Sequence, residues 1–388
     1  MSKTFSERLT AAVESGAAPG AVALLVDRDG VILEAAAGVR AAGSPEPMTC
    51  DTVFWIASMT KAVTSIAALK LVEEGRLSLD ADLAPLLPEF ANLQVLEGFG
   101  DDGAPLLRPA RGPVTLRQLL THTSGFGYAF MSDALSRWVQ ATGAVDAASG
   151  ARAAYVMPLL FEPGEGWAYG VGIDWAGLAV EAASGQTLDA YFRDHILEPL
   201  GMKDTTFVPS AAQVARRASL HFRLPDGGLT PAPFDMPKDP EVWSGGGGLF
   251  STAHDYGRFL RMLLNGGELD GVRILSPQTM AELTRIQTGE VRAGALKSSA
   301  PQLTNDFDLF PEMHTGWGLA TLINPEPGPQ GRSAGSLAWA GIFNTYYWAD
   351  PEKGVGGVLM TQIAPFGDAG ALELVRALEA HAYGLDAV

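Results

Sequence analysis

Two kinds of hydrophobic spacing occur along the chain, and they are unevenly distributed. Residues 4–16 place Phe5, Leu9 and Val13 at helical intervals, and the apolar runs 21–26 and 31–37 that follow are joined across Asp29-Gly30. That pattern predicts a helix feeding a β-hairpin. Near the other end, segments 316–323, 337–348 and 355–362 are each read as a strand. They are rich in β-branched and aromatic residues and separated by turn formers such as Asp350-Pro351, after which 369–383 returns to helical periodicity. Between these ends the signals are mainly helical. Residues 187–198 form one helix stopped by Pro199, and 252–264 another, with Thr252 and Asp255 as a capping box and Asn265-Gly266-Gly267 as its stop.

The simplest closure pairs the N-terminal hairpin with the C-terminal strands in one antiparallel sheet, packs the terminal helices on it, and sets the helical insertion alongside. The fold class expected is thus α/β in the α+β sense. One lobe comprises about residues 1–75 and 312–388, the other about 76–311, with a cleft between them. Segments 101–113 and 288–311 carry little pattern and read as surface excursions of the kind that shape pocket rims.

Composition narrows the partners. The chain has 388 residues, too many for one small core, and 47% of them are hydrophobic. Its 27 Lys and Arg against 44 Asp and Glu leave a net charge of −17, which repels phosphate backbones, so nucleic acid is not an expected partner. A single cysteine, Cys50, excludes an internal disulfide. Residues 1–14 carry Lys3, Glu7 and Arg8 instead of a signal-peptide core, and no stretch approaches the roughly 18 apolar residues of a membrane span. A soluble, cytoplasmic protein is expected. Glycine and proline cluster without period, so no repeat architecture is indicated.

The segment with most chemistry is Phe54-Trp55-Ile56-Ala57-Ser58-Met59-Thr60-Lys61, which opens a helix whose apolar residues, among them Ala62, Val63, Ile66 and Leu69, cover most of its circumference. Ser58 and Lys61 are three residues apart and share one face. In an arbitrary protein such a pair is a helix cap and a snorkelling lysine. Here the lysine lies in the first turn of a helix buried nearly all round, where desolvation favours the neutral amine that can accept a serine proton. This segment resembles the serine hydrolases of the class C β-lactamase and penicillin-binding-protein superfamily, whose S-x-x-K motif heads such a helix. The resemblance implies a β-lactamase/transpeptidase-like fold and runs from about Ala18 to the end, also through 119–126 and 245–252.

It implies two further stations. Tyr169, in the glycine-rich run from Pro163 to Asp174, is the proton-handling tyrosine; a phenol near the Lys61 ammonium is expected to have its phenolate favoured. On the 337–348 strand, Trp339-Ala340-Gly341 stands where lactamases carry Lys-Thr-Gly, and Trp-x-Gly there resembles the family VIII carboxylesterases. By that resemblance the N–H groups of Ile342 and Ser58 hold the oxyanion, with Trp339 and Gly341 beside the substrate. Two departures from the lactamase pattern matter: Tyr-x-Asn has become Tyr169-Gly170-Val171, and the strand lysine has become Trp339. Both disfavour anionic antibiotics and favour a neutral ester as the small-molecule substrate. A β-lactamase, a D-amino-acid peptidase, an acyltransferase of this fold and a silent binding module are the alternatives.

Gly331-Arg332-Ser333-Ala334-Gly335 also satisfies G-x-S-x-G, with Asp350, Asp368 and His381 downstream. It follows a Pro-rich stretch and precedes a β-rich run, so it is read as a glycine-rich loop and not a nucleophile elbow. Six histidines are scattered without metal-binding spacing, and His122 reads as a hydrogen-bonded packing residue. No metal and no cofactor are expected; the oligomeric state is left open.

Overall fold

The computed structural model describes residues 4–145 and 149–385; Lys3 lies outside them. Helix α1 (Phe5–Glu14) begins at Thr4, whose side chain and that of Glu7 form a reciprocal capping box. It leads into strands β1 (Gly20–Asp27) and β2 (Val31–Gly38). At the other end come β3 (Gly316–Trp317), β4 (Leu322–Ile323), β5 (Leu337–Gly341), β6 (Thr345–Asp350) and β7 (Val355–Met360). These seven form one sheet in the order β3-β4-β5-β6-β7-β1-β2, antiparallel at every step, so the two chain ends meet where Val22 faces Met360. The sheet expected from the sequence is present.

β1 is buried at every residue but Asp27, because a central strand covered on both faces is apolar without alternation. One cover is α4 (Ala253–Leu264): a Cβ on Gly257 would lie 2.4 Å from Leu24 Cδ2, so only glycine lets the helix come this close to the sheet. Helices α1 and α5 (Ala369–Ala382) pack on each other and reach β2 and β7. Helix α2 (Thr60–Glu73) carries a continuous buried run from Thr60 to Leu69 and packs on α3 (Gly172–Ser184), itself buried from Gly172 to Val180. That contact brings the start of α2 to the start of α3.

Several expectations need correction. The 337–348 run is a hairpin, because Asn344 adopts φ +61° and turns the chain between β5 and β6; asparagine tolerates the left-handed region that an apolar strand residue resists. Residues 316–323 are likewise two short strands and a turn. The helix at 187–198 does not stop at Pro199. A π-turn at Arg193–Leu197 widens it, and Glu198–Leu200 continues to Gly201 at φ +68°. Proline there sits in the first turn of a new segment, where its missing N–H costs least. Thr252 caps α4, but Asp255 does not return the bond; its carboxylate accepts from Asp204 N and Thr205 Oγ1. Segment 101–113 contains a strand, Pro105–Pro109, paired with Gln94–Phe99, whereas 288–311 is irregular.

Candidate active site

Ser58 sits in a tight turn, Ala57–Met59, wedged against β5 and β6 just before α2 begins. Ala57 adopts φ +44°, a left-handed conformation that costs a non-glycine residue on the order of 1–3 kcal/mol. The turn buries Ala57 and Met59 and leaves Ser58 facing a cleft. Gly341 makes this fit possible, since a Cβ there would come within 2.3 Å of the Ile56 carbonyl and 2.4 Å of Thr345 Oγ1. Ser58 and Ile342 both line the cleft.

Lys61 is 1% exposed and its Nζ donates to Ser58 Oγ at 3.2 Å, Tyr128 Oη at 3.0 Å and the Gly246 carbonyl at 2.6 Å. Burial pushes its ammonium down to about 8, against an opposing pull from Asp174. Asp174, in the first turn of α3, accepts from Ser244 Oγ at 2.7 Å and Gly246 N at 2.9 Å, and from the Tyr128 hydroxyl at 3.4 Å. Gly246 therefore links acid and amine through one residue, its N–H on Asp174 and its C=O on Lys61. A Cβ there would lie 2.2 Å from Asp174 Oδ2, which accounts for glycine at this point of the 245–248 run.

Tyr169 is also brought to the site. It lines the same cleft as Ser58, and its hydroxyl accepts from the Trp339 indole N–H at 2.8 Å. Its phenolate is not favoured, contrary to expectation. Burial raises Tyr169 well above the ordinary phenol range, and Lys61 Nζ lies 4.7 Å over its ring face instead of beside its oxygen. Trp339 thus does more than replace a lysine, because its indole fixes the Tyr169 oxygen. Tyr169, Trp339, Gly341 and Ile342 all line the cleft that Ser58 faces.

His122 packs against Tyr169 at 4.6 Å between ring centroids and edge-on to Trp317 at 5.1 Å. It is a packing histidine as expected, but not a hydrogen-bonded one: neither ring nitrogen has a partner among the described residues, and burial holds the ring neutral. Ser333 lies in the loop between β4 and β5, is buried, and its Oγ has no partner among the described residues, so the G-x-S-x-G match assembles no nucleophile.

The cleft has a volume of about 290 Å³ and is walled largely by aromatic and aliphatic groups, including Phe130, Leu296 and Leu303; no Lys, Arg or His side chain lines it among the described residues. Leu296 and Leu303 come from the irregular 288–311 segment, which does form part of the rim. Among the described residues there is no helix long and apolar enough to cross a membrane and no cluster of three metal-ligating side chains.

The Beta-lactamase family domain matches residues 5–382. The chain belongs to the beta-lactamase family. Its fold is the β-lactamase/transpeptidase-like one, and this beta-lactamase-family chain is 33% identical over 361 residues to the lovastatin esterase of Penicillium rubens, covering 90% of each. It is likewise 33% identical over 388 residues to the monacolin J acid methylbutanoyltransferase of Aspergillus terreus, covering 95% of this chain and 92% of that one. Among solved structures, unliganded simvastatin synthase (LovD) from Aspergillus terreus superposes with a TM-score of 0.84 at 31% identity, covering 98% and 97%. EstCE1, a hydrolase with promiscuous acyltransferase activity, shares the fold at a TM-score of 0.76 and 22% identity, covering 97% of each chain.

Sequence reasoning missed Tyr128, Asp174 and the Gly246 carbonyl. A signal existed for Asp174: a lone acid in the otherwise apolar run Gly172–Leu178 is a buried charge that needs partners. Tyr128 carried none, being one of several aromatics after Gly125.

Proposed function

We propose that this protein is a serine carboxylesterase of the family VIII type, hydrolysing neutral, short-chain acyl esters. The observation that carries the reading is the buried Lys61 amine against Ser58 Oγ at the floor of a cleft that has no cationic side chain among the described residues. Ser58 Oγ bonds to the ester carbonyl carbon as Lys61 Nζ takes its proton. The carbonyl oxygen, now anionic, lies between the N–H groups of Ser58 and Ile342. Collapse expels the alcohol, which leaves with a proton passed back through the Lys61 and Tyr169 cluster, and leaves acyl-Ser58. Water attacks the acyl carbon by the reverse transfer, releasing the acid and restoring the serine. Tyr169 acts as a neutral phenol, oriented by Trp339. Tyr128 and Asp174 hold the Lys61 amine on line.

The cleft volume falls at the low end of the roughly 300–1,000 Å³ common for small-molecule pockets, which favours short substrates. A β-lactam carboxylate would be buried there against Trp339 without a cation, at a cost of several kcal/mol. A second reading, acyl transfer to an alcohol, draws support from the transferase relatives and from the largely apolar lining of the cleft. Exposure to a fluorophosphonate followed by intact-mass measurement tests the enzyme reading: one adduct on the wild type and none on Ser58→Ala is expected, and no adduct on the wild type would overturn it. Equal or higher kcat/KM on a chromogenic cephalosporin than on a short aryl ester would overturn the ester preference. Product analysis with an added alcohol separates hydrolysis from transfer.

A further inference from the structure

Two stacked aromatic rings line one part of the active-site cleft. Trp55 and Phe234 stack face to face, with centroids 4.1 Å apart and planes 8° from parallel, and Phe343 closes against Trp55 at 4.7 Å. Beyond the pair lies a second cavity of about 400 Å³, larger than the first, and both are lined by Trp55 and Phe234. Its other walls mix apolar groups, Leu220 and Phe250, with Arg217, Asp235 and Gln362. The two rings are held very differently. Trp55 is fixed at three points, its backbone N–H and C=O clamped by the Gln362 side chain and its indole N–H on the Gly247 carbonyl at 2.6 Å. Phe234 stands on the loop after the strand Leu229–Ala232. That loop is tied beside it by the Arg217–Asp235 ion pair at 3.1 Å and a 3.5 Å contact from Arg217 to the Phe234 carbonyl.

We infer that Phe234 sets the substrate length this enzyme accepts, and that the cavity behind it is a subsite for the far end of a longer apolar acyl or alkoxy group once the ring is displaced. The inference rests on the esterase reading and deepens it. Trp55, three residues before Ser58, and Phe343, next to Ile342, tie the wall to the two elements that flank the reacting carbonyl. A chain leaving the carbonyl toward them meets the Phe234 ring. Removing that ring opens apolar surface on Trp55, Leu220 and Phe250 to the chain. Each methylene taken out of water there raises efficiency about fourfold.

The experiment compares 4-nitrophenyl esters from butanoate to decanoate, and butanoate esters of alcohols of increasing length, on wild type, Phe234→Ala, Phe234→Leu and Phe234→Trp. In one of the two series, the ratio of kcat/KM for the longest to the shortest member should rise at least tenfold in Phe234→Ala, less in Phe234→Leu, and fall in Phe234→Trp. The series that responds assigns the subsite to the acyl or the alcohol side. Because the readout is a ratio within each variant, a general loss of fold or activity does not mimic it. Binding of the longest ester to Ser58→Ala and to Ser58→Ala/Phe234→Ala, followed by calorimetry, reads the cavity without turnover, and the doubly substituted protein should bind at least tenfold tighter. Ratios that do not move in either series, or equal binding, would overturn the role of Phe234. Absence of all ester turnover in the wild type would overturn the esterase reading instead, leaving the binding arm to decide the subsite.

Discussion

Replacing Lys61 with methionine tests the electrostatics of the site without reference to any substrate. Methionine is unbranched and of similar reach, so it fills the same space while removing the charge. Burial lowers the Lys61 ammonium from 10.5 to about 8. In the unfolded chain the amine keeps its proton up to about 10.5, so between these values the native state binds fewer protons. Stability then rises with pH across this window: the wild type bears the full cost of a dry ammonium below pH 8 and sheds it progressively above. At about 1.4 kcal/mol per pH unit the full cost is about 3 kcal/mol, of which about 2.5 kcal/mol is recovered between pH 7 and pH 10. Methionine carries its own penalty, the Gly246 carbonyl left without its 2.6 Å donor, worth about 1–3 kcal/mol and independent of pH in this range. The difference in stability at one pH is therefore ambiguous, and its slope is not. For a chain of 388 residues, at about 2.1 cal/mol/K of unfolding entropy per residue, the wild type should gain about 3 °C in Tm relative to Lys61→Met on going from pH 7 to pH 10. Scanning fluorimetry of both proteins in parallel buffers measures this directly. A Tm difference constant to within 1 °C would mean that Lys61 keeps an ordinary ammonium, and the proposed base would lose its physical basis. The wild-type kcat/KM on a neutral ester should rise through the same value, about 8.

Tyr169→Phe and Lys61→Met should each lower kcat on the order of 10²-fold or more, and the double variant should be little worse than either, because both act on one proton; additive losses in a double-mutant cycle would separate them. Trp339→Phe keeps a ring but removes the donor to Tyr169 Oη, so kcat should fall on the order of tenfold while Tm stays within about 2 °C. Gly341→Ala drives a Cβ into the Ile56 carbonyl and should cut acylation by a fluorophosphonate at least tenfold, through displacement of the Ser58 turn from Ile342. Far from the site, Arg332 pairs with Glu379 and both are buried; Arg332→Met should cost about 3–5 kcal/mol in urea unfolding, and adding Glu379→Leu should restore most of it.

Period and composition were enough to draw the sheet from both chain ends, because strands covered on both faces must be apolar throughout. Ser58 and Lys61 were legible together because the pair lies within one turn of one helix. Tyr169, Trp339, Gly341 and Ile342 were placed by resemblance, and the structure brings all four to the cleft. What sequence could not supply were contacts that only tertiary packing makes: Tyr128 meets Lys61 directly from another segment, and Asp174 reaches it through Gly246. The protonation of Tyr169 was misjudged for the same reason. A lysine nearby in sequence logic suggests a phenolate, whereas its position over the ring face and the dry surroundings favour the neutral phenol. The hairpin at 342–344 was hidden because the residues on both sides are apolar and only Asn344 marks the turn.

The pairing of Val22 with Met360 has a consequence for the order of events on the ribosome. β1, ending at Asp27, emerges long before β7, which begins at Val355, so its buried edge waits uncovered while the intervening chain is made. The turn bearing Ser58 is finished early too, but the strand that ends at Gly341, against which it is wedged, arrives late. Ser58 and Lys61 are thus made early and together, but the surface that closes the cleft opposite them, Trp339 to Ile342, is added late.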